Sequence, residues 1–183
     1  MSKLLAALAG AALILNLPAA AADGSYEEGL ALYDEAAALR PADDETFARA
    51  QDLYGQAYAI WIAVPESERP PAMRYHLAML YYLGAGDVKI NQPLAMEMFE
   101  AAAAEGYPLA DAFIGFLHER GDGMMVSNNQ ELALERYERA AAGNNCAALK
   151  RLAAAYRDGD LGLRADAPRA EAYAARIPDC VRR

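Results

Sequence analysis

Two histidines, two cysteines, one tryptophan and four serines in 183 residues leave few side chains to carry chemistry. No H-E-x-x-H pair and no Cys/His cluster of zinc spacing occurs, so the ligand sets of zinc enzymes are missing. No G-x-S-x-G elbow is present, and none of Ser2, Ser25, Ser67 and Ser127 has a lysine three residues on, so the S-x-x-K signature is absent too. The run GAGDVK (84–89) lacks the helix start with Lys-Ser/Thr that cradles a phosphate. DGDLGLRAD (158–166) fails the calcium-loop register, because position six counted from Asp158 is Leu163. Sustained period-2 alternation and hairpin turns are lacking, which argues against a sheet. Basic residues are also in deficit, 17 against 26 acidic, for a net charge of −9. That balance opposes nucleic acid or anionic lipid as a main partner and favours a basic protein or peptide. These absences predict a non-catalytic protein with no metal and no cofactor.

What is present begins with a leader. Lys3 precedes an apolar run from Leu4 to Leu17, and AAAA (19–22) precedes Asp23. A short apolar core followed by small residues is the pattern of a cleaved secretory signal, with cleavage expected after Ala22 or, next, Ala21. Residues 1–22 are then a signal peptide and 23–183 a single repeat domain, periplasmic or secreted, with no membrane insertion after cleavage. The leader holds one basic residue, so the mature chain carries 16 basic and 26 acidic residues, a charge of −10.

A period of about 37 residues runs through the remainder. LAMLYYLGAG (77–86), IGFLHERGDG (114–123) and LAAAYRDGDLG (152–162) align on Leu77, Ile114 and Leu152. A small residue follows each (Ala78, Gly115, Ala153), then Tyr81, His118 and Tyr156 four on, then Gly84, Gly121 and Gly159 seven on. Positions i, i+1 and i+4 share one helix face, and the glycine ends the helix in the left-handed conformation. Each such helix is followed by a second one, whose N-cap is predicted at Asn91, Asn129 or Asp166, four residues before Ala95, Ala133 and Ala170. Pro93 and Pro168 suit a first helical turn, and Gly106 and Gly143 close the first two of these helices. A looser copy precedes, with a cap predicted at Thr46 and a partner helix starting at Ser25, where Ser25 to Glu28 has capping-box spacing. The units run over about 25–64, 70–106, 107–143 and 144–180. The fold expected is an all-α solenoid of about four antiparallel helix pairs. His118 reads as a residue at the edge of the core.

Cys146 opens the last first-position helix and Cys180 follows the end of its antiparallel partner. Antiparallel geometry brings those points together, and export places them in an oxidising compartment, which predicts a Cys146–Cys180 disulfide.

With these positions in hand, the chain resembles the Sel-one-like repeats, relatives of the tetratricopeptide repeat. The matches are Leu77, Tyr81, Gly84, Gly86, Val88, Ala95 and Phe99 in one unit and Ile114, Gly115, Gly121, Gly123, Val126, Ala133 and Tyr137 in the next. Ala78 and Ala153 depart from the family glycine, His118 from its tyrosine, and Met98, Arg136 and Tyr173 from its tryptophan. The resemblance implies an adaptor in envelope regulation, exopolysaccharide control or complex assembly. It also implies an alternative, a penicillin-binding or weak β-lactamase-like repeat protein, as described for cysteine-rich exported members. A structural or immunity-type envelope factor is a third reading, apart from the resemblance.

In tetratricopeptide-like stacks a stripe on the first helices lines the concave surface. Here it holds Tyr75, Met79 and Tyr82, then Ala112, Phe116 and Glu119, then Lys150, Ala154 and Arg157, with Arg120 and Arg151 nearby. The expectation is a groove, aromatic at one end and basic at the other, for a protein or peptide with an apolar stretch and an acidic end.

Overall fold

The computed structural model describes residues 19–39, 43–121 and 126–180. Among them are eight α-helices: α1 (Ala19–Ala38), α2 (Asp44–Ile62), α3 (Pro71–Leu83), α4 (Gln92–Ala104), α5 (Pro108–Arg120), α6 (Gln130–Ala142), α7 (Cys146–Asp158) and α8 (Ala167–Arg176). Short 3-10 turns cover Glu66–Glu68 and Ile177–Asp179, and no strand occurs in the described residues. The helices form four antiparallel pairs, α1/α2 to α7/α8, and stack as a solenoid.

The ends of the helices are written locally. Asn91, Asn129 and Asp166 cap α4, α6 and α8, their side chains accepting from the N–H of Leu94, Leu132 and Arg169 at 3.2, 3.0 and 3.0 Å. Asn145 caps α7 in the same way through Ala148 N–H. Gly84 and Gly159 end α3 and α7 in the left-handed region, where a Cβ is costly.

Two expected caps move. α2 is capped by Asp43, whose Oδ1 accepts from Thr46 N–H at 2.8 Å, while the Thr46 hydroxyl closes the box on Asp43 N–H at 3.3 Å. Thr46 is therefore the third helical residue and the reciprocal half of the cap. Ser25 is not an N-cap, because α1 already runs from Ala19, through the expected cleavage point after Ala22. Four successive alanines, the best helix formers, carry the helix N-terminally past Ser25. The apolar run before Ala19, and Gly123, lie outside the described residues. Among those described, no helix is long and apolar enough to cross a membrane.

Large side chains recur at the buried positions: Trp61, Met73, Leu77, Leu80, Phe99, Ile114, Leu149 and Leu152. The predicted leaders Leu77, Ile114 and Leu152 are fully buried, and so are Ala95 and Ala133. Gly115 lets α5 approach α6, since a Cβ there would press on the Tyr137 ring and the Ala133 carbonyl. Gly86, at positive φ, lets the α3–α4 loop lie against the backbone of Tyr54 and Gly55, with its N–H donating to Gln51 at 2.6 Å. Ring contacts tie the first pair to the second: His76 on α3 sits 5.0 Å from Tyr33 and 5.6 Å from Trp61, centroid to centroid. Burial holds the His76 imidazole below its usual pKa, partly offset by its hydrogen bond to the Ala72 carbonyl and by Asp34. His118 is half-buried.

The last pair is closed covalently. Cys146, first residue of α7, is bonded to Cys180, just past the turn that ends α8, with the two Cα atoms 5.1 Å apart. No free cysteine remains.

Candidate interaction surface

The first helices of successive pairs, α3, α5 and α7, lie side by side and form one face. Tyr82 on α3 meets Phe113 on α5 edge-on at 5.3 Å, and Arg151 on α7 pairs with Glu119 on α5 at 2.8 Å. The nine residues expected to line a groove lie on these three helices in three different states.

Tyr75, Met79 and Tyr82 are half-buried in the cluster around Phe99 and Ile114. The Tyr75 ring lies 5.6 Å from Phe99 and 5.4 Å from Tyr107, and Tyr82 packs on Phe113. These rings bond one unit to the next, so most of their area is spent inside the stack. Burial, with some help from Tyr107, pushes the Tyr75 hydroxyl up to about 12.

Glu119 and Arg151 are committed to each other. The Tyr137 hydroxyl donates to Glu119 at 2.8 Å, and Arg151 continues to Asp160 at 2.6 Å. Partial burial pushes the Glu119 carboxyl up, but hydrogen bonds from Arg151 and Tyr137 outweigh it and hold the group below the usual glutamate range. The quartet spans three helices and the α7–α8 loop.

Phe116, Arg120, Lys150 and Arg157 remain at the surface. Phe116 is 41% exposed, with the Arg120 guanidinium 5.5 Å above its ring centroid. Lys150 has no ion pair among the described residues, and Arg157 pairs only with its neighbour Asp158, at 2.8 Å. Leu83, at the end of α3, is 55% exposed. Arg120 alone lies over the Phe116 ring, while Arg157 lines a shallow groove with Ala153 and with Ala170, Glu171 and Ala174 of α8.

The second helices, α4, α6 and α8, form another face that sequence reasoning passed over. Arg136 on α6 reaches Glu100 on α4 at 2.9 Å and buried Asp111 on α5 at 3.3 Å, and Arg139 reaches the same Asp111 at 3.3 Å. Burial pushes the Asp111 carboxyl up, against the pull of Arg139 and Arg136. Arg139 also donates to the Ala103 carbonyl at the end of α4, at 3.1 Å, and Arg176 donates to the Ala141 carbonyl at the end of α6. The readable signal was the recurrence of arginine six residues after Ala133 and Ala170. Among the described residues no group of His, Cys, Asp or Glu converges as for a metal ion. Ser25 lies inside α1, and Ser67 and Ser127 lie in exposed connections.

Comparison with known proteins fits this repeat geometry. The Sel1 repeat family model matches residues 71–107, 108–145 and 146–176, each spanning one helix pair from α3 onward. The chain belongs to the Sel1 repeat family. The pairs α3/α4, α5/α6 and α7/α8 are therefore Sel1 repeats, helical modules of the kind that mediate protein–protein interaction. A crystal structure of a Sel1 repeat protein from Oxalobacter formigenes is similar at 26% identity and a TM-score of 0.54, over 62% of this chain and 83% of that one. A protective antigen of uropathogenic Escherichia coli strains, displaying an SLR fold, shares the fold at 19% identity and a TM-score of 0.56. That match covers 86% of this chain but spans only 38% of the antigen. No curated protein matches the sequence. The pair α1/α2 precedes the matched repeats and packs on them through Trp61, Tyr33 and His76.

Proposed function

We propose that this Sel1 repeat protein is an exported adaptor that holds a protein or peptide partner on the face of α3, α5 and α7. The observation that carries the reading is Phe116, a large ring left 41% exposed on α5 with the Arg120 guanidinium over it. Aromatic and arginine side chains are the common anchors of protein contacts, and here one of each lies together at the surface. Lys150 and Arg157 add exposed positive charge on α7, in a chain of net charge −9. A partner segment with an apolar stretch and an acidic end matches this arrangement. Tyr75, Met79 and Tyr82 supply the floor, and Glu119 with Arg151 fixes the spacing of the helices that carry it. Envelope regulation or complex assembly is the setting that the leader and the disulfide favour.

The experiment is recovery of the tagged protein from a periplasmic or culture fraction, with the bound partner identified by mass spectrometry. Phe116→Ala combined with Arg157→Glu should lose the partner while the circular dichroism is unchanged. Retention of the partner by that variant overturns this face. N-terminal sequencing of the exported protein should begin at Asp23, and a product starting at Met1 or Ser2 would refute processing at the expected site.

A further inference from the structure

On the face of the second helices, arginines close two of the three seams. Arg139 of α6 donates to the Ala103 carbonyl of α4, and Arg176 of α8 donates to the Ala141 carbonyl of α6. The register is fixed by Ala95, Ala133 and Ala170, each six residues before this position. In α4 the position is Ala101, too short to reach the pair before it. The end of α2 is served instead by Arg69 in the connection, which donates to the carbonyls of Val64 and Ile62 at 2.9 and 3.2 Å. The seam between that connection and α4 therefore stays open, as a cleft of about 670 Å³.

Its floor is Leu94, Met98 and Ala101, spaced i, i+4, i+7 on one stripe of α4, and its rim includes Glu66 and Glu97. Both guanidinium groups that line the cleft are already engaged, Arg69 with the two carbonyls and Arg74 with Glu105. The side-chain carboxylates of Glu66 and Glu97 have no hydrogen bond or ion pair among the described residues, although the Glu66 backbone carbonyl accepts from Arg69 N–H at 3.3 Å. With Glu66, Glu97 and Glu105 against Arg69 and Arg74, the lining carries one net negative charge over an apolar floor, and its two unpaired carboxylates stand at the edge. We propose that the cleft takes a basic amphipathic segment of a partner protein, whose arginine or lysine pairs with Glu66 and Glu97 while its apolar flank lies on the α4 stripe. The charge of the protein selects the sign, and the apolar stripe of α4 selects an apolar flank. This surface is separate from the one carrying Phe116, so the two readings fail independently.

The probe is a fluorescein-labelled synthetic peptide of leucine, alanine and arginine, about 15 residues long so that it can form a helix on the surface. A twin carries glutamine for every arginine. Titration into the full chain is followed by anisotropy and by amide shifts. The arginine peptide should bind saturably, with shifts confined to residues 65–74 and 94–105, and the twin should not bind. Glu66→Lys with Glu97→Lys should weaken binding roughly tenfold or more, and so should Ala101→Arg, which fills the cleft from within. Glu135→Lys with Glu171→Lys changes the net charge equally on exposed sites elsewhere and should leave affinity within about twofold. Absence of saturable binding, shifts outside the cleft, or equal loss in the two charge-reversal variants overturns the proposal. Both Glu66 and Glu97 are exposed, so that variant decides the matter even where Ala101→Arg does not fold.

Discussion

The carboxylate of Glu119 on α5 receives Arg151 of α7 at 2.8 Å and the Tyr137 hydroxyl of α6 at 2.8 Å, joining two repeats at one side chain. Replacing it by glutamine leaves the shape and removes the charge that Arg151 faces. With about a quarter of each side chain exposed, the expected loss is about 1 to 2 kcal/mol at neutral pH, read as a lower midpoint in urea unfolding. The sign with pH follows from the depressed pKa of Glu119. Its contribution is full above the unfolded glutamate value of about 4.3 and is lost as pH falls through the lower folded value. The gap between wild type and Glu119→Gln should therefore narrow as pH falls below about 4.3 and on through the lower folded value. A gap that stays constant across that range would show that the charge is not what stabilises the contact.

Gly29 on α1 faces the indole of Trp61, and a Cβ there would fall well inside contact distance of the ring. Alanine would gain about 1 kcal/mol of helix propensity, yet overpacking typically costs about 1 to 3 kcal/mol. The expected balance for Gly29→Ala is a net loss of stability. Trp61 is the only tryptophan, so its emission reports directly on this joint. A red shift with a lowered midpoint is expected; unchanged emission and a raised midpoint would show that α1 accommodates the methyl group.

Reducing the Cys146–Cys180 bond frees the C-terminal end of α8 from the start of α7. For a loop with a sequence separation of 34 the chain-entropy relation gives a contribution of about 3 to 4 kcal/mol. Thermal unfolding with and without a reductant should show a lower Tm in its presence, and Cys146→Ala with Cys180→Ala should match the reduced protein. Thiol titration of the denatured, unreduced chain should find no free thiol; two would refute the bridge.

Asn129 caps α6 twice over: its side chain accepts from Leu132 N–H, and its own N–H donates to the His118 carbonyl at 2.7 Å. The second bond recurs as Asn91 to Tyr81 and Asp166 to Tyr156, so each second helix starts from a fixed point on its partner. Asn129→Ala removes only the side-chain half. About 1 kcal/mol of stability should be lost, with little change in helix content by circular dichroism.

Much of the fold was legible because its determinants are local. Capping asparagines, glycines at helix ends and apolar leaders at a fixed period each act within a few residues of their own position, so a linear reading finds them. The two misplaced caps show the limit: Asp43 outcompetes Thr46 by one helical turn, and the four alanines extend α1 past Ser25, both choices between neighbouring local options. The surface was less legible. A stripe drawn by helical spacing put Tyr82, Glu119 and Arg157 in one column. The structure buries part of the first between units, ion-pairs the second and leaves the third exposed.

By itself, then, the sequence determined the all-helical repeat, its period, the pairing of the helices and which two cysteines meet, since each follows from short-range geometry repeated in register. Only the tertiary structure decided which polar and aromatic groups remain available to a partner. That depends on side chains from different repeats competing for the same contacts: Arg151 takes Glu119, Phe113 takes Tyr82, and Arg139 and Arg176 take carbonyls of α4 and α6, the second helices of the preceding pairs. Ala101 is too short to do the same, and the seam beside α4 stays open.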